Sequence, residues 1–447
     1  MTQRLSFQDL DCFSSRFDEN PKNLLALNAV TQNGIHAVAL NRQALGTTHH
    51  TYSHPIETAS VTHQEKTGRC WLFAGLNTLR EVAGKQMKLE NFELSQTYLM
   101  FWDKLEKANF FLENIIETRK ALLNGRVVMW LLQDPLPDGG QWDMFVNLVQ
   151  KYGVIPKEFM PETKNSSESR PMNAMLIAKL RQCAQQLRQR ADGGASLKEL
   201  RQQKHAMMED IYRMLTIHLG KPPATIFWEW KDKDNVFHRQ GQMTPSEFFK
   251  QYVPLDLDEM VCLIHAPTKD KPFNRLYTVQ YLGNVVEGYQ VRYLNAPMEV
   301  LKQAAVEMIV AGEPVWFGCD VGKRLERDRG LMDLSVYNYE LVYDTSFALD
   351  KAERLDYGHS SMTHAMVLTG VDLNQDKKPL KWRVENSWGD TIGDKGYMMM
   401  SDDWFDEYLY EISVKKSLLA PELLNVLKSD PVVLPPWDPM GALAKSA

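Results

Sequence analysis

Apolar residues follow a helical spacing in the first half of the chain. The positions of Trp71, Leu79 and Val82 predict an amphipathic helix over residues 70–86. Further helices are predicted at residues 97–112, 115–132 and 143–151. This half of the molecule is therefore expected to be mainly helical.

Residues 163–220 differ in character from the segments on either side. A polar linker at residues 165–169 leads into two long, charged helical stretches, 175–190 and 197–219, with a turn at 191–194 between them. This pattern predicts a helical hairpin inserted into the main domain. Its charge predicts a solvated face, and an assembly surface is the alternative.

The period changes in the second half of the chain. Short runs of β-branched and aromatic residues alternate there with turn residues, which is typical of strands. The predicted strands are Tyr277–Leu282, Val291–Tyr293, Pro314–Gly318, Ala365–Val371, Lys381–Glu385 and Tyr397–Met400. A helical half followed by a strand-rich half predicts an α+β fold with two lobes and a cleft between them.

Composition narrows the class of protein. The 447 residues are 44% hydrophobic and 24% charged, with a formal net charge of −6, which is ordinary for a soluble globular protein and argues against a general attraction to nucleic acid. No apolar run approaches the roughly 20 residues that span a bilayer, and the N-terminus has no secretory signal pattern.

The cysteines suggest neither a disulfide framework nor a zinc site. They are five, scattered, and never spaced as CxxC, so four of them are expected to be buried free thiols in a reducing compartment, the cytoplasm. The histidines at 49, 50, 54 and 63 match no ligand spacing accompanied by carboxylates, so no metal is expected.

Four segments together suggest nucleophilic catalysis. Gln64 precedes Cys70 by six residues, Cys70 begins a predicted helix, His364 opens a predicted strand, and Asn386 starts the run Asn-Ser-Trp-Gly. Each segment alone is common: a histidine in an apolar strand is usually a core residue, and Asn-Ser-Trp-Gly makes an ordinary turn. Their joint presence in this order favours a thiol site.

The residue types fit defined chemical roles. A helix N-terminus and an imidazolium partner are expected to lower the pKa of Cys70, whereas Arg69 is expected to point to solvent. His364 would accept the thiol proton, and Asn386 would hold its imidazole in the productive tautomer. Gln64 and the backbone N–H of Cys70 would bind the developing oxyanion.

These segments resemble the papain-like cysteine peptidases. The ending Trp437-Asp438-Pro439-Met440-Gly441-Ala442-Leu443-Ala444-Lys445 is similar to that of the bleomycin hydrolase/aminopeptidase C branch, and the resemblance covers essentially the whole chain. It implies a two-lobed papain-like α+β fold, with a helical lobe, an antiparallel β lobe and large helical insertions. The expected divisions are an N-terminal arm at 1–60, the helical lobe at 61–162, the insertion at 163–220, the β-rich lobe at 221–429 and a tail at 430–447.

The resemblance also implies further site residues. Trp388 would shelter the bond between His364 and Asn386, and Gly139 with Gly140 would line the substrate cleft, although a plain turn is the alternative for this pair. The tail would lie in the cleft, where its terminal carboxylate receives the α-amino group of the substrate. That carboxylate belongs to Ala447, or to Lys445 if Ser446 and Ala447 are trimmed, which is our hypothesis because the two residues extend past the usual stop.

The expected activity follows from these implications. It is a cysteine aminopeptidase acting on peptides and small amides, with bleomycin-type amide hydrolysis as a side activity, no metal or organic cofactor, and a homohexameric ring. One alternative is a papain-like endopeptidase. Another is a nucleic-acid-binding ring protein, since basic residues cluster in the insertion at Arg181, Arg188, Arg190, Arg201 and Lys204. A plainly frayed terminus is the simpler interpretation of the tail.

Overall fold

A computed structural model describes residues 4–46 and 49–445. The helices are α1 (Phe7–Glu19), α2 (Pro21–Asn33), α3 (Ile35–Ala39), α4 (Arg42–Gly46), α5 (Cys70–Met87), α6 (Gln96–Glu117), α7 (Arg126–Gln133), α8 (Trp142–Tyr152), α9 (Lys164–Ser167), α10 (Arg170–Asp192), α11 (Leu197–Leu219), α12 (Pro245–Tyr252), α13 (Met298–Val310), α14 (Tyr339–Tyr343), α15 (Lys351–Asp356), α16 (Asp402–Tyr408) and α17 (Pro421–Val426). The strands are β1 (His54–Pro55), β2 (Ile226–Lys231), β3 (Phe237–Met243), β4 (Met260–Ile264), β5 (Arg275–Val279), β6 (Tyr293–Asn295), β7 (Val315–Cys319), β8 (Leu325–Glu326), β9 (Leu331–Met332), β10 (His364–Leu373), β11 (Pro379–Glu385), β12 (Tyr397–Ser401), β13 (Leu409–Lys415) and β14 (Val432–Leu434).

The helical half agrees with the sequence pattern in all but one place. α5 begins at Cys70, and α10 and α11 form the expected hairpin, whose second helix is capped by Ser196 and Glu199. The break between the helices predicted at 97–112 and 115–132 was misplaced. α6 continues to Glu117, and the chain turns at residues 118–125 before α7.

Twelve strands of the described residues form one sheet. Its order is β14-β5-β6-β4-β13-β7-β10-β11-β12-β9-β8, with β1 also pairing β10. Most pairs are antiparallel, but β4–β6, β5–β14 and β9–β12 are parallel. The sheet is thus mixed, and β10 lies between β7 on one side and β11 on the other.

Alternating side chains divide the core into two layers. On one face Trp316, Ala365 and Val367 pack with helices α5, α6 and α8. On the other face Phe317 and Met366 pack with α13 and α16. This alternation is the period of a strand buried on both faces. Cys70 therefore faces the first residues of β10 across the junction of helices and sheet.

The two ends of the chain differ in packing. Neither α1 nor α2 contains a buried residue, and Cys12 on α1 is exposed, so the expectation of a buried thiol was wrong there. Cys183, Cys262 and Cys319 are buried free thiols as expected. None of the helices in the described ranges has the length and apolar character of a bilayer-crossing segment.

The C-terminal segment is ordered, which contradicts the simpler interpretation of a frayed end. β14 pairs with β5, and a 3₁₀ turn runs over Pro439–Lys445. Asp438 shapes this turn, since it accepts the N–H of Met440 at 2.9 Å and the Lys271 ammonium at 3.3 Å. Ser446 and Ala447 lie outside the described residues.

Candidate active site

Cys70 is the first residue of α5 and is 2% exposed. Its sulfur accepts the backbone N–H of Ala365, on β10, at 3.4 Å. The next side chain, Trp71, is fully buried and donates its indole N–H to the carbonyl of Asp138 at 2.8 Å. The thiol is thus fixed where the start of the helix meets the start of β10.

His364 and Asn386 are joined by a hydrogen bond. His364 is the first residue of β10, and its Nε2 lies 2.8 Å from Oδ1 of Asn386, which follows β11. The amide oxygen accepts, so Nε2 carries the proton and Nδ1 is left as a base. The ring of Trp388 lies 5.0 Å from that of His364, between centroids, on this same side of β10.

Gln64 is held beside this pair by two hydrogen bonds of its side chain. Its Oε1 accepts the hydroxyl of Ser387 at 2.6 Å, and its Nε2 donates to the carbonyl of Thr67 at 2.6 Å. Its backbone N–H also donates to the Ser387 carbonyl at 2.8 Å. An amide nitrogen carries two protons, so one remains to donate to an oxyanion.

A buried ion pair that sequence reasoning missed connects α5 to the end of β11. Glu385 accepts Asn77 Nδ2 at 2.8 Å and Arg80 Nη2 at 2.7 Å. Asn77 lies two turns after Cys70 and so on the same helix face, which is the signal that could have identified it. Since Asn386 follows Glu385 directly, this pair fixes the distance between the thiol helix and the His–Asn pair.

The glycine pair lies against the residue that follows Cys70. A Cβ on Gly140 would come within 2.4 Å of the Trp71 ring, so no side chain fits there. The carbonyl of Gly139 accepts the ammonium of Lys107 at 2.6 Å. Both glycines are buried.

Two buried lysines on α6 support this loop, and neither was identified from the sequence. Lys104 pairs with Asp138 at 2.5 Å, and Lys107 pairs with Asp103 at 2.7 Å. Burial acts to raise the pKa of Asp138, but Lys104 together with the side chains of Ser169 and Asn173 holds it well below its usual range. The charged form is therefore the stable one beneath the glycines.

The tail packs on the opposite side of His364 from Trp388. Leu443 Cδ2 lies 3.4 Å from the point that a Cβ on Gly318 would occupy, and Gly318 on β7 pairs with Ala365. Ala444 and Lys445 line a small cavity with Lys107 and Pro137. The tail therefore lies between the glycine loop and the sheet.

Lys445 is engaged with the helical lobe. Its ammonium lies 4.1 Å from the centroid of the Trp130 ring and 3.3 Å from the carbonyl of Asp134, to which it donates. Burial lowers its pKa. Ala447, the other residue expected to meet substrate, lies outside the described residues.

The charge state of the resting pair differs from the expectation. Burial raises the pKa of the Cys70 thiol to about 11, and the N–H groups of Ala365, Trp71 and Cys70 itself offset only part of this. Burial likewise lowers the pKa of His364 to about 4. Burial of the two groups therefore acts against the charged thiolate and imidazolium forms in the empty site. The backbone N–H groups at the N-terminus of α5 lower the pKa of Cys70, as expected, but burial raises it by more.

Arg69 also departs from the expectation. Its side chain is 1% exposed rather than solvated, and it forms an ion pair with Glu162 at 3.0 Å. It supports the segment before Cys70 through a hydrogen bond to Thr67 at 3.1 Å.

The fold and this arrangement of thiol, imidazole and amide define a papain-like cysteine peptidase. A family model described as the Peptidase C1-like family matches residues 4–441, and the chain belongs to that family. It is 46% identical to an aminopeptidase C of Listeria innocua, over 99% of this chain and 100% of the relative. It is 43% identical to the bleomycin hydrolase of Homo sapiens, over 99% of each chain. A crystal structure of PepW from Lactobacillus rhamnosis HN001 matches with a TM-score of 0.97 and 46% identity, covering 99% of this chain and 100% of that one.

Proposed function

We propose that this protein is a cysteine aminopeptidase that releases N-terminal residues from peptides and small amides through a thioester. The observation that carries the proposal is the position of the C-terminal tail over Gly318, where Leu443 Cδ2 lies 3.4 Å from the point that a Cβ would occupy, one strand from the His364–Asn386 bond. The thiol site supports peptidase chemistry, and the tail restricts the space on one side of it.

Attack on the substrate begins with a proton transfer. Nδ1 of His364 takes the thiol proton while the sulfur of Cys70 bonds to the carbonyl carbon, and the carbonyl oxygen becomes an oxyanion that Gln64 Nε2 and the Cys70 N–H receive. Collapse of this intermediate breaks the C–N bond. The imidazolium then gives its proton to the leaving amine.

Hydrolysis completes the cycle. Water loses a proton to His364 and attacks the thioester carbon. The C–S bond then breaks as the sulfur takes the proton back from His364, which releases the amino acid and restores the thiol. Asn386 keeps its bond to Nε2 throughout, which favours the tautomer with a free Nδ1 and stabilises the imidazolium.

The tail would select substrates by charge and by space. A carboxylate about 4 Å from the substrate ammonium contributes around 1 kcal/mol in water and around 4 kcal/mol at an effective dielectric of 20, the larger value being an upper figure because both ions are desolvated. Even half of this upper figure would favour binding of a free N-terminus over a blocked one by more than tenfold. The ordered tail also argues against the endopeptidase alternative.

The decisive test compares an alanyl coumarin amide with its N-acetylated twin. We expect Cys70-dependent cleavage of the free-amine compound at least tenfold above that of the acetylated one, and none of either with Cys70→Ala. Equal cleavage of both compounds would refute the role of the tail and leave the cysteine chemistry intact. Cleavage that survives in Cys70→Ala would refute the proposal as a whole.

We propose further that Ser446 and Ala447 are removed by the enzyme itself, which leaves the carboxylate on Lys445. The support is that Ser446 and Ala447 extend the chain two residues past the ending Trp437–Lys445 on which the resemblance to the bleomycin hydrolase/aminopeptidase C branch rests. Intact mass of wild type and of Cys70→Ala tests this, since only the wild type should lack the two residues. A full-length wild-type mass contradicts it.

Assembly into a cytoplasmic homohexamer is the remaining part of the proposal. The charged sequence of the insertion at 163–220 makes it one candidate for the assembly surface. Exposed apolar side chains favour the N-terminal arm instead. They are Leu5, Phe7, Leu10, Phe13, Phe17, Leu24, Leu25 and Leu27. Light scattering should give about six times the 51.5 kDa chain mass. A species at 51.5 kDa contradicts assembly, and Phe13→Glu is expected to produce one, with Leu122→Glu on an exposed loop as the matched control.

Nucleic acid binding is the less favoured function. The basic side chains of the insertion have partners within the chain: Arg181 and Arg188 donate to backbone carbonyls, and Arg201 and Lys204 pair with Glu113. Absence of a salt-dependent mobility shift with single-stranded DNA would dismiss this alternative.

A further inference from the structure

The side chain of Asn386 is weakly held apart from its bond to the imidazole. Its Oδ1 accepts Nε2–H of His364 at 2.8 Å and the backbone N–H of Ser387 at 2.7 Å. Within the described residues, its Nδ2 donates only to the sulfur of Met398, at 3.7 Å. A thioether sulfur is a weak acceptor. The position of the Asn386 amide therefore depends on the backbone of residues 385–387.

Glu385, the last residue of β11, joins that backbone to the helix that carries the thiol. Its side chain is buried, and its Oε1 accepts Asn77 Nδ2 at 2.8 Å and Arg80 Nη2 at 2.7 Å. Both donors are buried residues of α5, which begins at Cys70. The carboxyl group is thus bonded to the thiol helix, and the next residue of the chain holds the imidazole.

The two donors extend this network to the far end of the Asn-Ser-Trp-Gly run. Asn77 Nδ2 also donates to Thr62 Oγ1 at 3.1 Å, and the Thr62 carbonyl accepts the N–H of Gly389 at 3.1 Å. Arg80 Nη1 donates to the carbonyl of Ser60 at 2.9 Å. A hydrogen bond between charged partners is shorter and about twice as strong as a neutral one. The ionised carboxylate therefore holds Arg80 more tightly than a protonated carboxyl group would.

The ionisable groups that act on Glu385 come from α5, β11 and β12, whereas its paired residue on β10, Val367, is uncharged. These groups are Arg80, Glu81, Arg383 and Tyr397. Burial raises the pKa of Glu385 to about 7, Glu81 acts in the same direction, and the two arginines oppose it. The carboxyl group can therefore gain or lose its proton near neutral pH.

We propose that Glu385 is a positioning residue whose negative charge sets the catalytic rate. As a carboxylate it holds Asn386, and through Asn386 the imidazole of His364, at the distance from Cys70 that proton transfer needs. It touches neither the substrate nor the reacting atoms. The inference rests on the proposed function, because it assigns a support to the base of that reaction.

The expected size of the effect follows from this indirect role. A misplacement of about 1 Å can cost about 10²-fold in rate. Loss of the charge alone leaves the shape of the side chain nearly unchanged, so we expect a smaller loss, of about tenfold. Because the substrate does not contact Glu385, the loss should fall on kcat and leave KM nearly unchanged.

The first test compares Glu385→Gln with Glu81→Gln, using an alanyl coumarin amide and thermal unfolding to verify each fold. Glu81 is a matched control because it is also buried and pairs with the same Arg80, at 3.3 Å, but lies on α5. We expect kcat to fall about tenfold or more in Glu385→Gln, with KM within about twofold, and no more than about twofold in Glu81→Gln. Equal losses in the two variants, or an unchanged kcat in Glu385→Gln, overturn the inference.

The pH profile separates positioning from a purely structural role. Wild-type kcat/KM should fall as the pH drops below about 7, where Glu385 gains its proton, whereas burial places the pKa of His364 at about 4. An α-amino group titrates near pH 7.7–8.0 and so shapes the alkaline side. Glu385→Gln should be slower and level between pH 5.5 and 7, and Glu81→Gln should keep the fall. A fall near pH 7 that persists in Glu385→Gln overturns the inference.

A second measurement needs no variant of Glu385 and so decides the matter if Glu385→Gln fails to fold. The wild type is labelled with ¹⁵N-histidine, and His364 is assigned as the signal missing from His364→Ala. We expect its Nε2–H resonance to shift with a midpoint near pH 7 while Nδ1 stays unprotonated. A resonance that does not move between pH 6 and 8, or a proton gained by Nδ1 at that midpoint, overturns the inference.

Failure of this inference and failure of the proposed function give different results. If the wild type cleaves the amide in a Cys70-dependent way but Glu385→Gln equals it in kcat and pH profile, positioning by Glu385 is refuted and the aminopeptidase proposal stands. If the wild type cleaves nothing in a Cys70-dependent way, the aminopeptidase proposal is refuted, and the resonance of His364 still tests its coupling to Glu385.

Discussion

The two sides of His364 are built on different principles. On the side of β11, Gln64, Asn386 and Ser387 are joined by hydrogen bonds of 2.6–2.8 Å, and Trp388 covers the imidazole. On the side of β7, the surface is a bare glycine, Gly318, covered by an apolar residue of the chain's own tail. The first side is fixed by polar bonds that position a base, whereas the second is filled by a segment that could be exchanged for another.

This difference suggests that the β11 side controls the rate of reaction and the β7 side controls which substrates react. Substitutions toward β11 should change how fast any substrate reacts, because those residues orient the base and receive the oxyanion. Substitutions toward β7 should change which substrates react. The predictions below test this division.

The largest effect is expected for the base itself. His364→Ala should lower kcat about 10⁴-fold for every substrate tested, because His364 is the base proposed to accept the Cys70 proton. The matched control is His359→Ala, an exposed histidine just before β10, which should retain activity. Steady-state kinetics on free-amine amides checks this. A loss of activity confined to one substrate would contradict the proposal that residues on the β11 side control the rate for all substrates.

A smaller loss is expected for the oxyanion donor. Gln64→Ala should cost about 10²–10³ in kcat with little change in preference between substrates, as expected when one such donor is removed. Gln86→Ala, near the exposed end of α5, serves as the control. If Gln64→Ala instead changed KM alone, Gln64 would be a binding residue rather than an oxyanion donor.

Removal of the tail should change selection rather than rate. A chain ending at Gly441 should lose at least tenfold of its preference for a free over an acetylated N-terminus. A chain ending at Lys445 is the matched control and should keep the full preference if trimming occurs. Discrimination retained by the shorter chain would exclude the tail as its source.

The smallest effect concerns the dependence of stability on pH. In the folded protein Glu411 keeps its proton to about pH 8, whereas in the unfolded chain a glutamate loses it near pH 4.3. Its contribution to stability is therefore full below about pH 4 and is lost as the pH rises toward 8. Between pH 5 and 8 the melting temperature of wild type should fall by several degrees more than that of Glu411→Gln. Parallel melting curves would contradict the raised pKa.

The sequence predicted the structure correctly where a chemical motif lies within a segment of clear helical or strand periodicity. The first residue of α5, the hairpin of α10 and α11, and the strands carrying His364 and Trp382 all follow local patterns of side chains. Their order along the chain was enough to select the four residues proposed for catalysis. The helices of residues 7–33 were not predicted, although Phe7, Leu10, Phe13 and Phe17 follow a helical spacing on α1 that could have indicated the first of them.

What the sequence could not give depends on tertiary contact. The pKa of Cys70 rises because of burial, which no local pattern reports. Glu385 and Lys107 are charged residues in a buried setting, and only the approach of Asn77 and Gly139 reveals their roles. Glu411 lies in the run Leu409–Lys415, whose alternating polar and apolar residues are those of an ordinary strand.

Burial of Cys70 disfavours its thiolate, which is the form that oxidants attack. Peroxide and alkylating reagents react with the thiolate, and a thiol with a pKa of about 11 is almost wholly protonated at neutral pH. Burial thus opposes the thiolate form of Cys70 in the empty site, and the sulfur gains reactivity as His364 accepts its proton during attack. Oxidative damage to this enzyme should then track turnover rather than the time spent in an oxidising medium.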